Sequence, residues 1–345
     1  MSKADNEPKI AIIIVNWNRY KDTIECLKSV LKLQYINYQI IMLDNGSTDG
    51  SIEKIVNWAR EKRRSSKTNV EIYGPSSEIP IFNIKKYDEI SNLKDKIIIL
   101  KSNKNLGFGV GSNKTVQFAL EKLNSVDFFL LLNNDTILEA DSLKNAAKVM
   151  QEKKAAIVGF LVKDVHGKII FSRDIRPPEL FFTTNRFPQI GLERDEISTT
   201  GDGCAMLIQK EMILKHKEKE GYLFNKKLFL YGEDTELCLN INKMGGSIYI
   251  AKNAVVYHKV SQSITSAQKE SIKIYYTTRN CMFIANSVFK GFWLAFFHFI
   301  YPLIRIKAVA QKIALNNLVE AKAILWGLGD YMMVIAIKEA NGRIN

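Results

Sequence analysis

Four short apolar runs, each followed by a helical pattern, make up the first half of the chain. The runs consist of aliphatic and aromatic residues without a polar interruption, which is typical of buried parallel strands. They occupy residues 10–15, 40–43, 97–100 and 128–132. After the first run, Leu27, Val30 and Leu31 recur at helical spacing. This alternation predicts an α/β fold with a mostly parallel, Rossmann-like sheet flanked by helices.

Two patterns mark where individual helices begin and end. Asp22 precedes Glu25 by three residues, which is the spacing of a capping box and predicts Asp22 as the N-cap of the first helix. Much later in the chain, Leu237 and Ile241 belong to a helical stripe, and Gly245 follows it as a C-cap.

Two stretches depart from the regular alternation. Residues 60–96 are basic at their start and contain Pro75 and Pro80, which predicts an inserted segment that is ordered only in part. Beyond about residue 155, short strands and loops are expected instead of long strand–helix units.

The chain changes character in its C-terminal region, residues 268–345. Residues 281–304 are rich in Phe, but Lys290 and Pro302 interrupt them. The apolar run after Lys290 is therefore shorter than the roughly twenty residues that a transmembrane helix needs. The region also holds ten Lys or Arg against four Asp or Glu. This combination predicts helices lying in a membrane interface, while an ordinary helical cap packed on the α/β domain fits equally well.

Length and charge narrow the classes of partner. A chain of 345 residues can bury a sizeable core, and its net charge of +13 favours a negative partner. A nucleotide, a membrane surface or a nucleic acid would each fit, as would a basic surface that serves only solubility. Because no basic motif is interleaved with aromatic residues, nucleic acid is not predicted.

The cysteines and the N-terminal residues indicate a compartment. The four cysteines are far apart and form no C-x-x-C pair, so neither a zinc site nor a disulfide framework is predicted. Residues 1–9 are polar and lead directly into the first strand, so no signal peptide is expected. A cytoplasmic protein is predicted, attached peripherally at the inner face of the cell membrane if its tail binds lipid.

Two of the apolar runs end on a carboxylate. Asp44 opens the segment D-N-G-S-T-D, and Asp135 closes N-N-D. Because ligands bind at the carboxyl ends of strands in open α/β sheets, one site built from both residues is expected. Asp44 alone could be a turn residue, or could accept the imide N–H of a uracil or thymine base. Asp135 is not the aspartate of a P-loop nucleoside triphosphatase, because no G-x-x-x-x-G-K-[ST] segment occurs.

Other candidates carry less specific signals. Gly107 and Gly109 lack the spacing of a dinucleotide fingerprint, but would let backbone approach a ligand closely. Asp234 lies among three carboxylates that open a helix, where they either complement the helix dipole or supply a general base. His258 is a structural residue or a metal ligand. Arg279 binds a diphosphate or caps the helical tail.

The order of these motifs resembles that of the inverting family 2 glycosyltransferases. The first half contains I-I-V-N-W-N, D-N-G-S-T-D, N-L-G-F-G-V-G-S-N and L-L-L-N-N-D, and the second contains G-E-D-T-E-L-C-L, the His258 segment and Y-Y-T-T-R-N. Within that family, the chain resembles the rhamnosyltransferase-like branch that builds bacterial and archaeal surface polysaccharides. The likeness runs from about residue 10 to residue 280 and is looser in the tail.

The resemblance implies a GT-A fold over residues 1–267. Its nucleotide-binding half would cover about 9–150, with residues 60–96 as the insertion, and its acceptor half about 151–267. The helical C-terminal region would follow at 268–345.

The resemblance also implies roles for individual residues. Asp234 would be the catalytic base, with Glu233 beside it. Asp135 would be the last residue of the metal-binding D-x-D motif, with His258 near the metal. The donor nucleotide would contact a further set of residues: Asn16, Asn18, Asp44, Asn105, Gly107, Gly109 and Arg279.

One departure from the family pattern concerns the metal. The first aspartate of D-x-D is Asn133 here, so a single carboxylate of that motif remains. The implied cofactor is Mg²⁺ or Mn²⁺, since both suit an oxygen-rich, partly hydrated site.

The implied reaction is an inverting transfer of rhamnose or a similar sugar from a dTDP- or UDP-sugar. The acceptor would be a hydroxyl of a saccharide or lipid-linked glycan. Two other classes stay open. A sugar-1-phosphate nucleotidyltransferase would carry a Gly-rich basic loop after the first strand, where this chain has N-W-N-R. A non-catalytic saccharide- or membrane-binding homologue would not need Asp135, Glu233 and Asp234.

Overall fold

The fold is described from a computed structural model. It describes residues 7–65, 69–73, 96–123, 125–172, 174, 182, 192–259 and 266–342. The strands among these residues are β1 (Ile10–Asn16), β2 (Tyr38–Asn45), β3 (Asn69–Tyr73), β4 (Lys96–Ser102), β5 (Phe128–Asn133), β6 (Thr136–Leu138), β7 (Ile157–Lys163), β8 (Ile169–Phe171), β9 (Glu196–Ile197), β10 (Ala205–Gln209) and β11 (Ile248–His258). The helices are α1 (Tyr20–Val30), α2 (Ser51–Ser65), α3 (Phe108–Lys122), α4 (Ser142–Lys153), α5 (Lys210–Glu220), α6 (Glu233–Lys243), α7 (Ser266–Val288), α8 (Gly291–Ala314) and α9 (Leu318–Gly342).

One sheet carries both predicted halves of the domain. Its strand order is β3-β4-β2-β1-β5-β10-β7-β11-β6, with β8 beside β7 and β9 beside β11. The strands from β3 to β5 are parallel, as the sequence predicts, and β7 is parallel to β11. Strand β10 is inserted antiparallel between β5 and β7. The predicted mostly parallel α/β sheet is confirmed, and β10 is its central exception.

The register brings the polar ends of the strands to one edge. Asn16 lies opposite Asp44 in the β1–β2 pair, and Asn133 lies opposite Val15 in the β1–β5 pair. Because β10 is antiparallel, it starts at this same edge, with Ala205 opposite Leu132 of β5. The edge therefore collects residues from three strands and from the turn that precedes β10.

The apolar runs form strands because both faces of the sheet are covered. Along β1, Ile12 and Ile14 join the core against α1, α2 and α4, while Ile13 and Val15 join the core against α3, α5 and α6. Alternate side chains of a strand point to opposite faces, so a strand buried on both faces must be apolar throughout.

The predicted capping box is wrong. Helix α1 begins at Tyr20, and its N-cap is Arg19, which makes no side-chain cap hydrogen bond. Asp22 lies inside the first turn, where its Oδ2 is 2.6 Å from Arg19 Nη2. Its Oδ1 lies 2.9 Å from Lys259 Nζ, and Glu25 binds the same ammonium. An ion pair to the end of β11 has taken both carboxylates that the local spacing assigned to the cap.

The segment at residues 60–96 is more regular at its start than expected. Helix α2 continues to Ser65, and β3 adds a parallel edge strand to β4. Residues 66–68 and 74–95 lie outside the described residues, so the rest of the predicted insertion is untested. The short β3 is bounded by polar residues, which hid it from the pattern.

The C-terminal region is helical, as predicted. Helix α7 packs on α6 and α9, and α8 packs on α9. Phe297, Tyr301 and Val309 form the buried side of α8. The helix runs past Pro302 to Ala314, so it is longer than the apolar run suggested. Among the described residues it is the one helix that is long and apolar enough to cross a membrane, and most of it is exposed.

Candidate functional site

The two strand ends that carry Asp44 and Asp135 are joined by hydrogen bonds through Asn16. Its Nδ2 donates to Asp44 Oδ1 at 2.8 Å, and its Oδ1 accepts from Thr23 Oγ1 at 2.7 Å. Asn134 Nδ2 donates to Thr23 Oγ1 at 2.9 Å and to Asn16 Oδ1 at 3.3 Å. The sequence predicted a single site built from both strand ends, and this network connects them.

Asp44 is fully buried, and both of its oxygens accept hydrogen bonds. Besides the contact with Asn16, its Oδ2 accepts from Ser47 N at 3.2 Å. Ser47 Oγ in turn accepts from Asn18 N at 2.9 Å, and Asn18 Oδ1 accepts from Thr48 N at 2.7 Å. Asp44 thus fixes the loop after β2 against the loop after β1.

Asn105 and Gly107 are held beside this loop by Asn45. Asn45 Nδ2 donates to Asn105 Oδ1 at 3.1 Å and to Gly107 O at 3.2 Å. Gly107 has a φ of +76°, and a Cβ there would lie 2.8 Å from the carbonyl oxygen of Phe229. A Cβ on Gly109 would meet the Phe224 side chain at 3.1 Å. The space beside these two glycines is therefore filled by Phe229 and Phe224.

Asp135 and His258 come together at the end of β5 and β11. His258 Nε2 lies 3.2 Å from Asp135 Oδ1. Burial disfavours the charged imidazolium, but the hydrogen bond and charge of Asp135, together with the charge of Asp202, outweigh it and raise the pKa of His258. An imidazole that attracts a proton between carboxylates lies where a cation is favoured. The two predicted metal residues are therefore adjacent.

Sequence reasoning missed Asp202, in the turn before β10. Asp202, Cys204 and His258 each offer a ligand atom, and these atoms lie within 4.8 Å of one another. Burial, and then the charge of Asp202, raise the pKa of Cys204 well above its usual range, so its thiol stays protonated. The sequence signal was an acidic residue between two glycines, G-D-G, before an apolar run.

Asp234 lies against the same turn. Its Oδ2 accepts a hydrogen bond from Gly203 N at 2.9 Å, and its Oδ1 accepts from Thr235 N at 2.7 Å. A Cβ on Gly203 would lie 2.8 Å from Asp234 Oδ2, so only glycine fits there without displacement. Burial and the charge of Asp202 raise the pKa of Asp234 above its ordinary value, which suits a proton acceptor working near neutral pH.

Glu233 begins helix α6 with an unusual carboxyl group. Its Oε2 is shielded from solvent and has no hydrogen-bond partner among the described residues. Burial, and then the charge of Asp234, raise the pKa of Glu233 to about 8. At neutral pH this side chain is therefore largely protonated and offers an O–H donor beside Asp234.

Arg279 contacts the loop before α6. Its Nη2 donates to the carbonyl of Lys227, and its guanidinium lies 5.3 Å from the ring centroid of Tyr276 and 5.5 Å from that of Phe283. These contacts fit the cap of the helical tail, which was one of its two interpretations. Among the described residues, Arg279 makes these contacts away from Asp135 and His258, so its diphosphate role stays a prediction.

This arrangement combines a buried proton acceptor with a carboxylate–imidazole pair that can hold a cation. The turn at residues 202–204 connects them, because Cys204 O accepts from Asn133 N at 2.9 Å while Gly203 N donates to Asp234. Such a site can deprotonate a hydroxyl and neutralise an anionic leaving group within one crevice.

Comparison with family models decides the class. The model of Glycosyltransferase like family 2 matches residues 84–277, more than half of the chain. The model of Glycosyl transferase family 2 matches residues 11–73. The chain belongs to glycosyltransferase family 2. This confirms the predicted class of enzyme, whereas the inverting stereochemistry and the rhamnosyltransferase-like branch stay predictions.

Two relatives of this family 2 member come from archaea. The low-salt glycan biosynthesis hexosyltransferase Agl10 of Haloferax volcanii is 23% identical over 198 residues, covering 56% of this chain and 62% of Agl10. The dolichyl N-acetyl-alpha-D-glucosaminyl phosphate 3-beta-D-2,3-diacetamido-2,3-dideoxy-beta-D-glucuronosyltransferase of Methanococcus voltae is 24% identical over 311 residues, covering 86% of this chain and 80% of that enzyme. The chain thus spans less than two thirds of the length of Agl10.

Solved structures confirm the predicted GT-A-like fold. The mannosyltransferase PcManGT from Pyrobaculum calidifontis, solved with GDP-Man and Mn2+, aligns with a TM-score of 0.53 at 13% identity, covering 100% of this chain and 82% of that one. Residues 1–349 of S. aureus TarS align with a TM-score of 0.50 at 15% identity, covering 82% of this chain and 67% of that one.

The raised pKa of Glu233 predicts a specific pH dependence of stability. In the unfolded chain a Glu has a pKa of about 4.3. The folded protein therefore holds this proton up to a higher pH than the unfolded chain, and the free energy of unfolding falls as pH rises from about 4.3 to about 8. As pH rises from about 5.5 to about 8.5, the free energy of unfolding measured in urea titrations should fall less for Glu233→Gln than for the native sequence.

The matched control is Glu218→Gln, the same substitution at an exposed position of α5. The control corrects for the loss of one carboxyl group at the surface. Because Glu233 interacts with Asp234, the difference in slope reports the titration of this pair of carboxyl groups. Parallel pH profiles for Glu233→Gln and the native sequence would show that Glu233 is already ionised in the folded state.

Proposed function

We propose that this protein transfers a sugar from a nucleotide-sugar donor to a hydroxyl of a glycan acceptor, in glycan biosynthesis. The observation that carries the proposal is the turn at residues 202–204. It binds Asp234 on one side and the end of β5 on the other, so a proton acceptor and a cation-binding pair share one crevice. A transferase that displaces a nucleoside diphosphate needs both groups.

Asp135 and His258 are the residues that would hold the divalent cation. The carboxylate and the imidazole lie 3.2 Å apart, and negatively charged neighbours raise the pKa of the imidazole. Such a pair of ligands fits Mg²⁺ or Mn²⁺. When bound, the cation would neutralise charge on the departing diphosphate. The Mn2+ in the PcManGT structure agrees with this choice.

Asp234 is the general base of the proposal. The amides of Gly203 and Thr235 orient its carboxylate, and the remaining lone pairs can accept the proton of an acceptor hydroxyl. As that proton moves to Asp234, the hydroxyl oxygen bonds to the anomeric carbon and the bond to the nucleoside diphosphate breaks. One displacement from the opposite face inverts the anomeric centre.

Protonated Glu233 would help to position the acceptor. Its O–H beside Asp234 can donate to an acceptor oxygen, which orients the attacking hydroxyl toward the base. This role uses the carboxyl oxygen Oε2 of Glu233, which has no hydrogen-bond partner among the described residues.

The donor nucleotide would lie along the loops held by Asp44 and Asn45. We assign the base to the Asp44 region, with Asn16 and Asn18, and the remaining contacts to Asn105, Gly107 and Gly109, as the family resemblance implies. Arg279 would then approach the diphosphate from the tail.

The donor we propose is a dTDP- or UDP-linked hexose, with rhamnose as the sugar implied by the resemblance. The acceptor is a saccharide or lipid-linked glycan. One relative is a hexosyltransferase of glycan biosynthesis, and the other is named for a dolichyl N-acetylglucosaminyl phosphate, which supports a lipid-linked acceptor.

The two rival classes are less well supported. A sugar-1-phosphate nucleotidyltransferase would need a Gly-rich basic loop after β1, where this chain has N-W-N-R without a glycine, and Asn16 and Asn18 bind Asp44 and Ser47. A non-catalytic homologue would have no reason to keep Glu233 beside Asp234 with its Oε2 shielded from solvent and without a hydrogen-bond partner among the described residues, since such an atom costs stability.

Replacement of the base tests the proposal. Asp234→Asn keeps the size of the side chain but cannot accept the proton, so transfer should fall by roughly 10²–10⁴-fold. Binding of the donor should change little, because Asp234 faces the acceptor. The measurements are transfer to a glycan acceptor and calorimetric binding of a panel of nucleotide sugars with Mn²⁺.

The matched control is Asp141→Asn, an exposed aspartate at the start of α4. It should transfer sugar at the native rate. Native turnover by Asp234→Asn would remove Asp234 as the base, and a native protein that binds no nucleotide sugar would contradict the transferase proposal itself.

We also propose that the exposed side of α8 and α9 lies on an anionic membrane. Phe292 is 73% exposed, Phe299 69% and Trp326 63%, and they belong to a larger set of exposed apolar residues on these helices. The further members are Trp293, Phe296, Leu303, Ile304, Ile306, Ile313, Leu315, Leu318, Val319, Leu325, Met332 and Met333. Monomeric soluble proteins rarely expose so large an apolar patch.

The charge of the region favours lipid as the occupant of this surface. Residues 268–345 carry ten basic and four acidic side chains, and basic residues next to an apolar face attract anionic headgroups. The protein would then work at the cytoplasmic face of the membrane, beside a lipid-linked acceptor.

A charged residue in this surface should weaken membrane binding. Burying a Phe side chain contributes about 1.5–3 kcal/mol, so Phe299→Glu should lower partition to anionic liposomes by roughly tenfold or more. The measurement is liposome flotation of the full chain. Val165→Glu, at an exposed apolar residue of the β7–β8 turn, is the control and should bind as the native protein does. Equal flotation of both variants would contradict this surface.

A further inference from the structure

The metal-binding motif of this chain lacks a carboxylate that its family pattern would supply. Asn133 stands at the first acidic position of D-x-D, and its side chain is a neutral amide. Asp135 and His258 then supply two protein ligands, and the rest of the shell is left to water, the diphosphate or a further protein ligand.

The sheet brings another carboxylate to the place of Asn133. Strand β10 pairs antiparallel with β5, with Ala205 opposite Leu132, and Asn133 N donates to Cys204 O at 2.9 Å. The turn that carries Asp202 therefore lies directly beside the end of β5. Asp202, in the turn before this neighbouring strand, thus lies at the edge of the sheet where Asn133 occupies the first acidic position of the motif.

Two separations between these ligand atoms are close to those found around a single ion. Asp202 and His258 offer donor atoms within 4.8 Å of each other, and Asp135 Oδ1 lies 3.2 Å from His258 Nε2. Ligands about 2.1 Å from one ion are separated by at most about 4.2 Å, so a small adjustment of side chains would suffice. Cys204 N donates to Asp202 Oδ1 at 2.9 Å, which orients this carboxylate.

We propose that Asp202 is a metal ligand that replaces the carboxylate missing at Asn133. The divalent cation would be held by Asp135, His258 and Asp202, with water and the diphosphate completing its shell. This inference rests on the proposed function, because it concerns the cation of that reaction. It adds a residue that the motif does not contain, contributed by the antiparallel strand.

The same placement connects the metal to the base. Asp202 lies one residue before Gly203, whose amide binds Asp234. A cation bound by Asp202 would therefore also fix the turn that orients the base.

Binding of Mn²⁺ alone tests the assignment without turnover. Asp202→Asn removes a charged ligand, and we expect its Kd for Mn²⁺, measured by electron paramagnetic resonance, to rise about tenfold or more. Water-proton relaxation should find one more water on the bound Mn²⁺. The double variant Asn133→Asp with Asp202→Asn returns a carboxylate to the motif and should restore most of the affinity and the native water count.

The controls separate this inference from the proposed function. Asp135→Asn should lose Mn²⁺ affinity whether or not Asp202 is a ligand, and Asp141→Asn should not. A native protein that binds no Mn²⁺ would contradict the metal-assisted reaction itself. If Asp135→Asn loses affinity while Asp202→Asn keeps the native Kd, Asp202 is not a ligand. A raised Kd with an unchanged water count in both Asp202→Asn and Asp202→Ala overturns the inference as well, because the alanine side chain offers no ligand atom and Asp202 would then act only through its charge. If Asp202→Asn does not fold, Asp202→Ser takes its place with the same expected results.

Discussion

The hydrogen bonds of Asn16 are the interaction on which the rest of the site depends. Its Nδ2 binds Asp44 and its Oδ1 accepts from Thr23 and Asn134, so one amide connects the ends of β2 and β5. This requires β1 to lie between the two strands in one register, since a slip of one residue would turn Asn16 to the other face. That register is specified because both faces of the sheet are buried. Packing of the apolar core thus determines the geometry of the polar edge.

Antiparallel β10 adds to this edge what parallel strands alone would not. A strand that starts where its neighbours end brings the turn before it, rather than the turn after it, to the ligand-binding side. Through Gly203 and Cys204, that turn contacts both Asp234 and the end of β5. Negative charge is concentrated as a result, which raises the pKa of Asp234 and of His258. A nearby cation would offset this cost.

The sequence predicted those parts of the structure that local pattern determines. Long apolar runs identified β1, β2, β4 and β5, and the carboxylates after two of them lie at one edge of the sheet. Asp202 was missed because its partners Asp135, Asp234 and His258 are between 32 and 67 residues away in the chain, and tertiary structure, including the pairing of β10 with β5, brings them together. The capping box failed for a similar reason: Lys259, distant in sequence, competes for Asp22 and Glu25. Long-range charge outweighed a local motif.

The C-terminal helices contact the loop that precedes α6 through side chains of α7. Asn280 of α7 donates to the carbonyls of Leu230 at 2.8 Å and Tyr231 at 2.6 Å, directly before Glu233. Ile284 packs so closely on Gly232 that a Cβ there would lie 2.9 Å from it. Any surface that holds α8 and α9 therefore also sets the position of α6 and its carboxylates. For an acceptor carried by lipid, this attachment would place its hydroxyl and the base in the same frame, so that binding to the membrane would itself contribute to orientation.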